Sequence, residues 1–554
     1  MGSMRGFFTI SGPPLKAQSL RKSKISLFQK KMPAYLNQTL VILILKRIGP
    51  ELLRHFQPIS LCTIVYKIVS KIIVNKIRPF MKQLVSPLQA AFIPGRKGLD
   101  NMIIAQEIMH SMEKKKGHSG VMALKIDLEK AFDRLEWSFI REILIHFNFP
   151  SDLIAIIMDC ISSSTVSILF NRGKLDSFSP SRGIRQGDPI SPYIFILCLE
   201  YLGLLIHEKT SLKIWKPIKA SRSGPAFSHL FFADDLILFG QASLPTTEAI
   251  EEVLTRFSHL SGQKVSNEKS RILFSKNTPE ATRDCICNSL GFLETRKFDK
   301  YLGFPLKFSS RGSKDFDFII QNIQSKLAGW QANLLSLAGR CILIQSSSSA
   351  VADYVMQGVL LPNRVCQEID RANRNFLRGS SSEKRKLHMV KWEVVTRPTN
   401  HGGLGLHAAR PRNLSLLAKL NWNLSFGEKS SWVKVLKAKY MSRSFPWSSK
   451  GSCSRTWAAC KAAKPLLDKG LRKVITTGTS TSFWNDTWFS LGNLRSVLSG
   501  PLNYQEENSL VAQFVDDYGN WKWDNLSFVL PQSLLSIINA IPINLSSFCE
   551  DLTA

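Results

Sequence analysis

The sequence predicts an α+β fold, and three observations predict it. Strand-like and helix-like stretches are mixed along the chain, without the strict alternation that builds a doubly wound parallel sheet. Hydrophobic residues make up 44% of 554 positions, enough for packed cores and too long a chain for a single ordinary one. The run FFADDLILFG, residues 231–240, reads as two buried apolar strands around an acidic turn.

The elements follow in order. Residues 1–35 are basic, poor in acids, and carry GPP and RKSK, the composition of a loosely ordered arm. LVILIL at 40–45 has a strand's length. Ile64, Ile68, Ile72 and Ile73 recur at helical spacing, with Lys67, Lys71 and Lys76 among them. VMALKID (121–127) predicts a strand, and LEKAFDRLEWSFIREIL (128–144) a helix with Glu129 and Asp133 on its solvated surface. The loop SPSRGIRQGDPIS (179–191) precedes a helix in PYIFILCLEYLGLLIHE. A further helix ends near Gly262. Ile319, Ile323, Leu327, Trp330 and Leu334 predict another across 316–337. The boundaries drawn from these patterns are 1–35, 36–310, 311–380 and 381–554.

Charge is the dominant bulk property. Lys plus Arg is 73 and Asp plus Glu is 42, a net of +31. A field of that sign suits a polyphosphate partner, and nucleic acid is the expected one. No apolar stretch reads as long enough for a membrane helix, and no signal-peptide pattern opens the chain, so no membrane partner is expected. The ten cysteines are scattered and no CxxC pair occurs; the expectation is a reduced intracellular protein with inert thiols and no zinc site. Nine of the twelve tryptophans fall between 392 and 523 and read as packing residues. Lys384–Lys386 read as a solvated loop.

The chemistry is carried by carboxylates. Asp234 and Asp235 at a hairpin tip would face a cleft, and their mutual repulsion would be relieved by a divalent cation that prefers hard oxygen ligands. Asp127 ends a strand as a new segment begins, and a strand end beside a hairpin tip brings the three acids together. Carboxylates that clamp two metals serve phosphoryl transfer. In RGIRQGDP, Gly183 and Gly187 allow close backbone approach, and Arg182 and Arg185 are candidates to meet phosphates. Asp188 reads as a helix cap.

The ordered set KIDLEKAFD, RGIRQGDPISPYIF and FADD, with PISLCTIVYKIVSKIIVNKI, AFIPGR, DNMIIAQEIMH, KYLGFPL, LSLAGRCILIQS and HGGLGL, resembles the reverse transcriptase of LINE-type, non-LTR retrotransposons, especially those of plants. The similarity runs from 32 to 362 and again at 401–406. It implies a right-hand polymerase fold. Fingers and an antiparallel palm would occupy 36–310, thumb-like helices with Lys326 and Arg340 would occupy 311–380, and a mainly helical region of unknown role would follow. It implies Asp127, Asp234 and Asp235 as ligands of two Mg²⁺ ions (Mn²⁺ as a substitute). Lys269 would be the proton donor to pyrophosphate and Phe132 a steric gate beneath the incoming sugar. Gln186 and Gly187 would lie near nucleotide and template, and 301–306 would grip the primer end. Implied partners are an RNA template, a DNA primer or RNA–DNA duplex, and dNTPs, in the nucleus or cytoplasm.

The pattern breaks at one charged position. The family has arginine where this chain has Gln57, in HFQPISL, and glutamine cannot supply that charge. No endonuclease is expected before the polymerase, and SSFCEDLTA ends the sequence without a Cys/His or ribonuclease H pattern, so a fragment is expected. Two alternatives remain: an inactive nucleic-acid-binding relic, and a group II intron-type reverse transcriptase or maturase.

Overall fold

The computed structural model describes residues 31–46, 49–298, 300–306, 314–328, 334–379, 389–427, 430–441, 453–516, 518–543 and 551–553. Two compact units divide the chain. One comprises 1–409 and 427–458, the other 410–426 and 459–554.

The first unit is built on two sheets. Strands β1 (Gln38–Leu45), β2 (Phe56–Cys62), β4 (Thr165–Phe170) and β5 (Gly173–Lys174) form one, in the order β2-β1-β4-β5. The other has the order β11-β10-β3-β9-β8, from β3 (Val121–Ile126), β8 (His229–Phe232), β9 (Asp235–Gln241), β10 (Arg271–Phe274) and β11 (Leu293–Glu294). Short hairpins β6 (Ile218–Lys219) with β7 (Ala226–Phe227), and β12 (Lys300–Tyr301) with β13 (Phe304–Pro305), stand apart from both sheets. Central β3 pairs antiparallel with β9 and β10. Val121 through Leu124 are all buried, the continuous apolar run of a strand covered on both faces.

Helices supply the cover. In α1 (Ile64–Ile77), Thr63 Oγ1 accepts from the Tyr66 backbone N–H at 3.3 Å and starts the helix. Its buried stripe is Tyr66, Val69, Ile73 and Ile77, while Ile64 is exposed. The helices that follow are α2 (Gly98–Glu113), α3 (Trp137–His146), α4 (Ser151–Ser162), α5 (Ser191–Ser211), α6 (Leu244–Ser261) and α7 (Glu280–Leu290). Gly262, with φ +74°, closes α6 at the predicted position.

Helix α5 corrects one expectation: its 21 residues are long and apolar enough to cross a membrane, by length and composition. Most of its apolar side chains face the core instead, with Ile194, Phe195, Ile196, Leu197 and Leu199 all buried, as in a core helix. A second correction concerns 128–144. The helix begins only at Trp137. Residues 129–134 form turns, with Lys130 at φ +47°, so Glu129 and Asp133 do not lie on a helix. The loop carrying Gly183 captures this segment: Gly183 N–H donates to Leu135 O at 2.7 Å and Ile184 N–H to Phe132 O at 2.8 Å. Those bonds replace the helical ones.

Beyond β13 come α8 (Asp317–Leu327), α9 (Leu337–Leu343), α10 (Ser349–Met356) and α11 (Asn363–Arg378). Ile319, Ile323 and Leu327 are buried as predicted, but α8 stops there, Leu334 is exposed, and Trp330 lies outside the described residues. Residues 346–350 are helical. Lys384–Lys386 also lie outside the described residues. The segment with α13 (Ser431–Tyr440), which follows α12 (Ala409–Phe426), returns to α2. Fully buried Glu107 accepts from Lys439 Nζ at 2.9 Å, Tyr440 Oη at 2.8 Å, and the Ser454 hydroxyl. A buried carboxylate needs this many donors to stay charged.

The second unit has an aromatic core of Phe483, Trp484, Trp488 and Phe514 with Leu494, Val511 and Ile538. Here the tryptophans pack rather than protrude. Strands β14 (Lys473–Val474) and β15 (Leu552–Thr553) pair antiparallel and bring Asp551 to the loop 476–481. Asp551 accepts from the backbone N–H groups of Thr476, Thr477, Gly478 and Ser480 and from the Thr481 hydroxyl at 2.7–3.2 Å. Burial alone would raise its pKa, but these bonds outweigh burial and hold it well below the usual carboxylate range. Asp551→Ala is expected to destabilise this unit by roughly 3 kcal/mol, since charged hydrogen bonds are lost together. Because the folded pKa is depressed, the wild-type contribution is present above the unfolded value of about 4 and fades as pH falls below it. Urea titrations of both chains at pH 7 and pH 3 check this; the gap between them should narrow at the lower pH.

Candidate active site

Three acids meet at one end of the central sheet. The β8–β9 hairpin pairs Phe232 with Asp235, leaving Ala233 and Asp234 as a two-residue turn. Ala233 has φ +52° and Asp234 does not, the sign pattern of a type II′ turn, which matches the twist of a hairpin. Across β3, Ile126 pairs with Leu236, so the next step of the register sets Asp127 opposite Asp235. Asp234 is exposed; Asp127 and Asp235 are half-buried.

Their electrostatics show mutual strain. Burial raises the Asp235 carboxyl above its usual pKa; Lys125 pulls it down, and the charges of Asp234 and Asp127 push it up again. Lys269 answers part of this charge, with Nζ 3.6 Å from Asp127 Oδ1. It is carried there by a turn that follows Asp127 closely. Ser266 N–H donates to Asp127 O at 2.8 Å, and Asp127 N–H donates to Ser270 Oγ at 3.2 Å. Both side chains of the ion pair are largely solvated, so its contribution to stability is small.

The turn is buttressed by residues that sequence reasoning missed. Gln89 Oε1 accepts from Ala233 N–H at 3.3 Å and Ala91 N–H at 2.9 Å, which holds the strained turn residue. Asn101 Nδ2 donates to Phe231 O at 2.8 Å. Arg96 in turn fixes the Gln89 segment by donating to the carbonyls of Ser86, Gln89 and Val85. The only sequence signal was that these residues lie in AFIPGR and its neighbours. On the other side, Lys125 Nζ donates to Lys300 O at 3.1 Å, and Tyr301, on the β12–β13 hairpin, lies within electrostatic reach of Asp235.

The 182–188 loop divides into surface and core. Arg182 is paired with Glu136 at 3.1 Å on the surface. Arg185 corrects the expectation of a phosphate contact. It is buried, donates to Asn37 Oδ1, Thr39 Oγ1 and Cys160 O at 2.7–2.9 Å, and stacks over Tyr66 with 4.1 Å to the ring centroid. Its ion-pair partner is Asp188, at 3.5 Å. Asp188 accepts from Ile190 N–H as a cap would, and also from the Tyr66 and Ser70 hydroxyls. A Cβ on Gly183 would come within 2.6 Å of Asp133 O, and one on Gly187 within 2.8 Å of Ser60 O. Both positions have positive φ, so glycine is required twice over. Gln186 is fixed to β2 by Ser60 N–H donating to its carbonyl at 2.8 Å, and its side chain accepts a hydrogen bond from Gln57 Nε2. Phe132 is half-buried and stacks on Phe195, ring centroids 4.7 Å apart.

A divalent cation is implied here. Among the described residues, no three carboxylate, imidazole or thiolate groups are gathered as a ready-made metal cage. The donor set still fits Mg²⁺, which binds through one or two carboxylates plus substrate phosphates and keeps its waters. The raised Asp235 carboxyl and its two acidic neighbours are the charge that such an ion would relieve.

Residues 46–306 match the family model described as reverse transcriptase (RNA-dependent DNA polymerase). The chain is 36% identical over 186 residues to a putative ribonuclease H protein of Arabidopsis thaliana, covering 32% of this chain and 30% of that one. It is 22% identical over 261 residues to the retrovirus-related Pol polyprotein of the type-2 retrotransposable element R2DM of Drosophila melanogaster, covering 47% and 24%. Telomerase from Candida tropicalis in complex with a telomeric RNA fragment superposes with TM-score 0.36 at 11% identity, covering 76% of this chain and 68% of that one. The chain spans less than a third of the length of the first curated relatives it matches. Residues 46–306 are thus similar to the reverse transcriptase family, and part of the chain is similar to the Pol polyproteins of retrotransposable elements.

Proposed function

We propose that this chain copies RNA into DNA by two-metal nucleotidyl transfer at the Asp127, Asp234 and Asp235 end of the central sheet. The observation that carries the reading is the register that sets Asp127 opposite Asp235 at the tip of the β8–β9 hairpin. In this reading the five-stranded sheet is the palm of a right-hand polymerase, the β1–β2 region belongs to the fingers, and α8–α11 form the thumb. Two bound Mg²⁺ ions would activate the primer 3′-hydroxyl and offset charge on the leaving pyrophosphate.

The chain's own groups do the rest. The three carboxylates hold the cations against the incoming dNTP. Lys269, already beside Asp127, donates a proton to the departing pyrophosphate. Phe132, pinned by its stack on Phe195, walls the sugar and excludes a 2′-hydroxyl. Gln186 and Gly187 lie along template and nucleotide, and the β12–β13 hairpin beside Asp235 holds the primer end. Lys326 is exposed on α8, free to meet duplex phosphate, whereas Arg340 packs over Phe376. RNA template, DNA primer and dNTPs are the partners, and the nucleus is where a chromosomal primer would be found.

The test is extension of a labelled DNA primer on an RNA template with dNTPs. Extension that needs Mg²⁺ and disappears with chelator supports the reading; none over a range of Mg²⁺ and Mn²⁺ overturns it.

Gln57 makes a second prediction. Its amide is spent on Gln186, leaving no cation at a place where the resemblance implies arginine. Gln57→Arg is expected to lower KM for dNTP about tenfold, the effect of one charge-assisted contact of about 1.4 kcal/mol. Steady-state kinetics check it, and an unchanged KM would mean that position 57 does not face the triphosphate.

A further inference from the structure

The opposite end of the same sheet holds a basic hollow of about 430 Å³. It lies between the end of α2, the start of β3 and the 216–222 segment. Val121 and Gln241, which pair at the far end of β3 and β9 from the acids, both line it. Six residues of strand, at ~3.3 Å each, separate the two ends by roughly 20 Å. Lys115, Lys216, Lys219 and Arg222 line the hollow together with serines; no acidic and no aromatic side chain does. Lys216, Lys219 and Arg222 are exposed, and among the described residues none of the four makes an ion pair or a side-chain hydrogen bond. The segment is held in place by its backbone: Gln241 N–H donates to Lys216 O at 3.0 Å, and Ser111 Oγ donates to Ala220 O at 2.7 Å.

Four like charges in one concavity repel each other, and concave walls focus their field. Some surface cations of this chain find partners, as Lys209 does with Glu252 and Arg283 with Glu294. Among the described residues these four have none, which leaves them open to an anion from outside. We propose that the hollow is a second nucleic-acid contact, gripping the phosphodiester backbone of a single strand while the cleft at the other end does the copying. This rests on the polymerase reading above. A single strand is favoured because the hollow is far too small for a duplex. With no aromatic side chain to stack a base, the contact is to backbone and is indifferent to sequence.

The experiment uses the full chain with Lys216→Glu/Lys219→Glu/Arg222→Glu. These side chains are exposed, and unchanged thermal melting confirms folding. The matched control is Lys469→Glu/Arg472→Glu/Lys522→Glu in the second unit. Fluorescence anisotropy follows a labelled 30-nucleotide single strand, as RNA and as DNA, across a KCl titration without metal or dNTP. The expected result is a loss of at least ~10-fold in affinity and a fall of about 2 in the salt slope, ~0.7 per lost contact, for the first triple only. A loss confined to RNA would assign the hollow to the template; equal loss on DNA would assign it to either strand. Unchanged affinity and slope, or an equal loss in the control, would overturn the proposal. Because binding is read without catalysis, a wild-type chain that fails to extend a primer would sink the polymerase reading while leaving this measurement intact.

Discussion

Asp127→Asn is expected to reduce primer extension at least ~10³-fold while leaving the fold unchanged. The residue closes β3 opposite Asp235, and its backbone is fixed by Ser266 and Ser270, so the amide will sit where the carboxylate sat. What changes is charge. A carboxylate that helps hold a cation against a pentavalent phosphate contributes several kcal/mol in the transition state, and each 1.36 kcal/mol is tenfold in rate. The same change removes the partner of Lys269. The loss should appear in kcat rather than in duplex affinity, because duplex binding depends on phosphate contacts elsewhere. Full activity in the variant would remove Asp127 from the chemistry.

Arg185→Ala is expected to destabilise the first unit by about 3–5 kcal/mol, the range for breaking a buried ion pair from one side. The guanidinium ties two distant segments to its own loop, through Asn37 and Thr39 and through Cys160, and pairs with Asp188 three residues on. Its removal strands Asp188, only 3% exposed, with the Tyr66 and Ser70 hydroxyls for company. Asp188→Asn added to Arg185→Ala should recover part of the loss, since the stranded charge is gone. Urea titration of single and double variants measures both effects. Normal stability together with weakened dNTP binding would instead place Arg185 on a phosphate.

The contrast between these two arginine and aspartate sites shows what a sequence carries and what it does not. The hairpin was legible because apolar residues flank ADD at strand spacing, and Asp127 because VMALKID alternates loosely as a strand does and ends on the acid. Helices α1, α5 and α6 were legible from their periodicity or apolar length. The burial of Arg185 was not: its acceptors lie at 37, 39 and 160, and nothing in RGIRQGDP encodes them. For the same reason Gln89, Asn101 and Arg96 were invisible as supports for the acidic turn. The helix expected from 128 fails over 129–134 because tertiary hydrogen bonds from the 183–184 backbone outcompete local preference. The hollow at the far end of the sheet escaped because Lys115 and the 216–222 segment are about 100 residues apart and only the fold brings them together.

The most direct measurement is primer extension on an RNA template by the wild-type chain and by Asp234→Asn/Asp235→Asn, with RNA–DNA duplex binding measured in parallel. Extension by the wild type, none by the variant, and equal duplex affinity for both is the predicted result. Extension that survives the double substitution would contradict it, because the polymerising centre would then lie away from the β8–β9 hairpin.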